Sequence, residues 1–210
     1  MSGIIAQNTL GNSGLIKSPA AGGGAWTFIK KITASDSADV QFIDGTSDVV
    51  LDSTYKEYLF YFINVHHSEL IELTFNVNVV GGSGFNETLT STYFHIYHDE
   101  TGAANALGYV ASQDQAQGTG THRLTGSIET VGGDDASANG WLHLFDISST
   151  TFVKHFISRS STYGATDYYH DAYTGGYFNT TSAIDEVMFE PQNGTGTIDS
   201  GDFILYGLTI

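Results

Sequence analysis

From Trp26 onward, apolar and polar residues alternate with a period of two. The clearest run is Leu70 to Val80. Ile71, Leu73, Phe75, Val77 and Val79 fall on one side of it, and Glu72, Thr74, Asn76 and Asn78 on the other. Successive side chains of a strand point to opposite faces, so this pattern predicts a strand with one face in a core and one in water. Tyr58 to Ile63 is apolar on both sides, which predicts a strand buried between layers or at an interface. Further strands are predicted at 26–32, 40–43, 89–97, 122–130, 141–147, 152–158, 176–179, 184–190 and 203–210. Turn residues separate them: Asp44-Gly45, Gly81-Gly82-Ser83-Gly84, Gly132-Gly133-Asp134, Asn139-Gly140, Asn193-Gly194 and Ser200-Gly201. Each supplies residues that tolerate positive φ. No segment keeps a helical period. A short helix near 103–107 and a long loop over 112–117 complete the reading. The fold class expected is all-β, an antiparallel two-sheet sandwich of jelly-roll type over residues 26–210.

Residues 1–25 differ. Gly, Ser and Ala dominate, with Ile4, Ile5, Leu10, Leu15 and Ile16 spaced among them. Such a segment cannot bury enough apolar surface to fold alone. It suits an extended arm whose aliphatics peg it to a neighbouring surface, the alternative being a frayed terminus.

Charge narrows the choice of partners. The 7 Lys+Arg face 23 Asp+Glu, a formal net charge of −16. Phosphate backbones and anionic bilayer surfaces both repel such a chain, so neither nucleic acid nor membrane insertion is expected. No apolar run approaches the ~20 residues of a membrane span. Cysteine is absent, which excludes disulfides, thiolate metal sites and cysteine nucleophiles. Met1 to Gly24 does not have the form of a secretory signal peptide.

Candidate chemistry is sparse. His95 and His98 fall on opposite faces of one strand, as do the adjacent His66 and His67, so neither pair chelates one ion. His143 and His155 lie among bulky apolar residues. The carboxylate pairs Asp99-Glu100, Asp134-Asp135, Asp167 with Asp171, and Asp185-Glu186 are of the kind any acidic chain provides. Gly132-Gly133-Asp134-Asp135 lacks the order of a calcium loop. Nucleophile elbows and phosphate loops are absent. The expectation is a protein without catalytic residues, cofactor or metal. The segment 163–178 stands out for Tyr163, Tyr168, Tyr169, Tyr173 and Tyr177. Tyrosine is large, amphipathic and low in rotamer entropy, which suits it to a subunit interface or core or, as the alternative, to a glycan-contacting loop.

Several strings carry a resemblance: Tyr55-Lys56-Glu57-Tyr58, Phe62-Ile63-Asn64-Val65-His66, Gly84-Phe85-Asn86-Glu87-Thr88, Gly140-Trp141-Leu142-His143-Leu144-Phe145-Asp146, Lys154-His155-Phe156, 176–185 and Leu205-Tyr206-Gly207. With Ile4-Ile5-Ala6-Gln7-Asn8, they span nearly the whole chain, and it resembles a group of marine bacteriophage structural proteins, labelled tail-fibre or virion proteins. The resemblance implies a virion component made in the bacterial cytoplasm. Such a component is expected to be a homo-oligomer, for instance a trimer, held to other virion proteins by its arm. A tail-fibre-type appendage touching host surface glycans is the first expectation. A capsid decoration protein and a stand-alone carbohydrate-binding module are the alternatives.

Overall fold

The computed structural model describes residues 26–128, 136–164 and 167–208. The arm positions Ile4, Ile5, Leu10, Leu15 and Ile16 lie outside the described residues, as does the Gly132-Gly133-Asp134 turn.

The described chain is all β. Its strands are β1 (Trp26–Ser37), β2 (Val40–Ile43), β3 (Glu57–His67), β4 (Leu73–Val79), β5 (Leu89–Asp99), β6 (Asn105–Tyr109), β7 (Ala116–Gly118), β8 (His122–Arg123), β9 (Ala138–Phe145), β10 (Lys154–Gly164), β11 (Tyr168–Phe178), β12 (Ile184–Pro191) and β13 (Ile198–Leu208). They form two antiparallel sheets. The larger, of nine strands, runs β1-β13-β3-β9-β10-β11-β5-β6, with β7 also on β5; the smaller runs β2-β12-β4-β8.

The inner faces of the two sheets close on one core. Phe60 of the large sheet meets Phe42 and Phe189 of the small one at ring separations of 5.2 and 5.6 Å. Phe75 of the small sheet meets Phe156 and Phe178 of the large one at 5.1 and 5.9 Å. All six rings are buried. Removing one such side chain from water stabilises the fold by roughly 1.5–3 kcal/mol.

Strand β4 corrects the expectation of a solvated polar face. Leu73, Phe75 and Val77 are buried as the alternation requires, but Thr74, Asn76 and Asn78 are buried too. The segment 119–127 supplies partners to Asn76 and to Glu72. Asn76 Nδ2 donates to the carbonyls of Thr119 and Gly120 at 3.3 and 3.1 Å. Thr74 Oγ1 donates to the Glu190 carbonyl at 3.0 Å. Glu72 accepts from Ser127 Oγ at 2.6 Å and pairs with Arg123 at 2.9 Å. Asn78 Nδ2 donates to Glu186 Oε2 at 3.0 Å. These bonds offset the cost of taking the polar groups out of water.

Other boundaries shift. The helix expected near 103–107 is instead the start of β6, and the loop over 112–117 contains part of β7. Among the described residues of the strand expected at 122–130, only His122 and Arg123 join a ladder. The described residues of 163–178 lie mainly in strands: β10 and β11 pair without a register break from Lys154↔Phe178 to Gly164↔Tyr168. Asn139-Gly140 is not a turn but lies inside β9, where a Cβ on Gly140 would stand 2.5 Å from the Phe62 ring and from the Arg159 carbonyl oxygen. Ser200-Gly201 likewise lies within β13. Asp44-Gly45 does turn, with Gly45 at φ 72° and Asp44 Oδ1 accepting from Leu51 N at 2.8 Å.

Candidate functional site

The outer face of the large sheet faces away from the core, yet it is rich in rings. Strand pairing places one side chain per strand in a continuous row. Tyr109 lies opposite Phe94, Phe94 opposite Tyr173, Tyr173 opposite Arg159, and Arg159 opposite Trp141. The row continues through Tyr61 and Ile204 to Lys31. It therefore crosses eight strands, β6 to β1. Tyr109, Phe94 and Tyr61 are exposed. A parallel row carries Ile157, His143, Tyr206 and Phe28, and the Tyr206 ring lies 6.0 Å from Tyr61 and 5.9 Å from Phe28.

Arg159 organises the centre of the first row. Its Nε donates to Asp171 Oδ1 at 2.9 Å and its Nη2 to Oδ2 at 2.7 Å. Its guanidinium lies 4.9 Å from the centroid of Tyr173, whose ring stacks on Phe94 at 4.9 Å with the planes 1° apart. Tyr173 Oη also donates to Asp171, at 3.2 Å. Two-point pairing with a carboxylate and stacking on a ring are both uses to which arginine is suited. The hydrogen bonds from Arg159 hold the Asp171 carboxyl below its usual range.

A β-bulge shapes the surface beside this pair. The ladder between β3 and β9 breaks between Phe62 and Val65. Asn64 takes a left-handed conformation there, φ 52°, and its N–H turns to Asn139 Oδ1 at 2.8 Å. Bulges bend strands and are common beside functional sites. A hollow of about 320 Å³ opens at this point, lined by Tyr61, Ile63, Asn139, Trp141, Arg159, Tyr169 and Asp171 among others. A second hollow, of about 480 Å³, lies on the other side of Trp141, lined by Phe94, Ile157, Arg159, Tyr173 and Gly175 among others.

No family model, curated protein or solved structure matches this chain.

The five tyrosines singled out in the sequence divide between the two faces of the sheet. Tyr169 and Tyr173 line the hollows. Tyr163 sits opposite Tyr169 in the β10–β11 ladder and donates to Asp167 Oδ1 at 2.8 Å. Tyr177 lies on the same outer face, beside His155 at 5.9 Å. Tyr168 does not join them. It faces the other way, into a hollow of about 220 Å³ shared with His95, Tyr97 and His170. Sequence reasoning did not single out Trp141, Arg159, Tyr61 or Phe94, and it named Asp171 only in one of the carboxylate pairs, with Asp167. Arg159, one of two arginines in the chain, was the available signal for a specific pair. Their grouping is set by register across five strands, which leaves no local spacing.

His95 and His98 stand on opposite faces of β5, as alternation requires. His122 is buried between hydroxyls, Nδ1 3.2 Å from Ser91 Oγ and Nε2 against Thr174 Oγ1. His67 Nδ1 lies 3.2 Å from the Ile71 carbonyl. Burial pushes both rings down to about 4. Among the described residues no three His, Cys, Asp or Glu side chains group closely enough to hold a metal ion.

Proposed function

We propose that this chain is a non-catalytic contact protein of a bacteriophage particle, an appendage of tail-fibre type, and that the outer face of its large sheet is the surface through which it binds. The observation that carries the reading is the row from Tyr109 to Tyr61, an aromatic stripe on a face that no part of the described chain covers. Exposed aromatic patches of this extent mark binding surfaces. The strand order supports a jelly roll. Strands β1, β13, β3 and β9 lie side by side in one sheet and β2, β12, β4 and β8 in the other, so that, β4 and β8 apart, successive strands of this set alternate between sheets. In that reading β5–β7 and the β10–β11 hairpin are insertions that widen one sheet. Jelly rolls recur in viral capsid and lectin domains. The resemblance of the sequence to marine phage structural proteins is what supports the virion in this reading, with residues 1–25 proposed as the anchoring arm and sister subunits as oligomer partners.

The test is made on particles. The protein should co-purify with them in fixed stoichiometry, and deleting residues 2–24 should abolish incorporation while leaving the thermal transition of the purified protein in place. Normal occupancy of the truncated chain would refute the arm as anchor. A Trp141→Ala protein should incorporate normally but support weaker adsorption to host cells. Wild-type adsorption by that variant would refute the outer face as the contact surface.

A further inference from the structure

Two shallow hollows share one tryptophan and one arginine, and their polar groups are fixed before any ligand arrives. This points to the chemical class of ligand. We infer that the hollows on either side of Trp141 are tandem subsites for a neutral oligosaccharide, which stacks on Trp141 and Tyr61 and hydrogen-bonds to Arg159, Asp171 and Asn139. The inference rests on the outer face being the contact face.

The hollows, about 320 and 480 Å³, fall at the small end of the range for ligand sites. They lie diagonally on the sheet: both touch β9, β10 and β11, the first reaching on to β3 and the second to β5, and on β11 the first is lined by Tyr169 and Asp171 and the second by Tyr173 and Gly175. Tyr61 to Phe94 spans four strand spacings, roughly 19 Å. A short linear chain of rings fits that track, and a single compact metabolite would leave half of it empty.

Polarity separates a sugar from a protein partner. The centre of a stable protein interface is depleted of charge. Here the centre is Arg159, whose side chain remains 51% exposed after pairing with Asp171. A flat apolar partner pressed on it would strip water from the pair without replacing the hydrogen bonds, which is costly. Sugar hydroxyls replace them. Of the five N–H donors of Arg159, two go to Asp171. Asn139 uses its Oδ1 on Asn64 and carries two amide N–H donors besides.

Charge separates a neutral sugar from an anionic one. Asp171 cancels the Arg159 charge at 2.7 Å, and the whole chain carries −16. A sialylated or uronate-containing chain would find no unbalanced cation in either hollow. The pairing also holds the guanidinium still above Tyr173, so little rotamer entropy remains to be lost on binding.

The experiment uses the full-length protein carrying Trp26→Phe, so that Trp141 is the sole tryptophan and its fluorescence reports on the site. Neutral gluco-, galacto- and manno-tetrasaccharides are titrated to roughly 10 mM, a range suited to weak binding, with sialylated and uronate oligosaccharides alongside. At least one neutral tetrasaccharide should shift the emission saturably. Gly175→Val should weaken that binding by about tenfold, the loss expected when a contact of ~1.4 kcal/mol is blocked. A Cβ at Gly175 meets only Ile157 Cγ2 and the Phe156 carbonyl oxygen, both at 3.5 Å, so the side chain fills the second hollow while the sheet stays intact. Unchanged melting of that variant confirms the point. Isothermal titration of Trp141→Ala should show no heat of binding, while Tyr97→Ala, on the opposite face, should bind normally.

Binding that survives both Trp141→Ala and Gly175→Val places the sugar elsewhere and overturns the inference. Binding of acidic chains alone overturns the neutral class. If no saccharide binds, and Trp141→Ala still abolishes adsorption or oligomerisation, the contact face stands and its occupant is a protein. If no saccharide binds and that variant adsorbs and assembles normally, the contact face itself is wrong.

Discussion

Gly140 and Phe62 are opposed across the β3–β9 ladder so closely that a Cβ on the glycine would come within 2.5 Å of the ring. The contact lies on the core side of the sheet, directly beneath the bulge at Asn64 that opens the first hollow. The packing of the core and the shape of the outer surface are therefore coupled at this position.

Gly140→Ala should be destabilising by about 1–3 kcal/mol, the usual penalty for forcing atoms into a filled core. Gly175→Ala should be neutral or stabilising by roughly 0.5 kcal/mol, because its Cβ meets only ordinary contacts and a strand interior disfavours glycine. Urea unfolding of the two variants beside the parent protein checks both signs at once.

Stability should fall on mild acidification. His67 and His122 are fully buried, with pKa values pushed down to about 4 by burial. In the unfolded chain they titrate near 6.5. Between those values the unfolded state holds more protons than the folded state, so the stabilisation is complete above pH 6.5 and is lost as pH falls toward 4. Each histidine should contribute a slope of up to about 1.4 kcal/mol per pH unit in that window. Unfolding free energies measured from pH 7 to 4.5 for the parent and for His122→Gln should differ in slope by that amount. Equal slopes would show that His122 does not titrate on unfolding.

The Arg159–Asp171 pair should matter little to folding. One partner is half exposed, and ion pairs so placed are worth about 0–1 kcal/mol. Asp171→Asn should leave the urea midpoint almost unchanged while freeing the guanidinium and leaving it uncompensated. Anionic oligosaccharides should then bind better than they do to the parent protein, a gain that salt suppresses.

Phe75→Ala should cost about 3–5 kcal/mol. Its ring touches Phe156 and Phe178 across the gap between sheets, so no neighbour can fill the void without opening the sandwich. Loss of cooperativity in thermal unfolding, or failure to fold at 37 °C, is the expected result.

The alternation of Leu73, Phe75 and Val77 with polar neighbours was enough to establish β4, its buried apolar face and an all-β chain, because a period of two is a local property of the backbone. It was not enough to place Thr74, Asn76 and Asn78. Their partners are the Glu190 carbonyl for Thr74, the Thr119 and Gly120 carbonyls for Asn76 and the Glu186 carboxylate for Asn78, and partners 43 to 116 residues away leave no mark on the strand itself. Tyr169 and Tyr173 could be singled out by composition alone, since they lie two turns of the same alternation apart in one strand. Their separation from Tyr168 follows from parity once β11 is known to be a strand, and that was hidden by glycines and polar residues that read as a loop. The pairing of Trp141 with Arg159, and of both with Tyr61 and Phe94, depended on strand order and register. Those are settled by how two sheets close on a shared core, a choice made between residues far apart in the chain, and only the tertiary structure decided it.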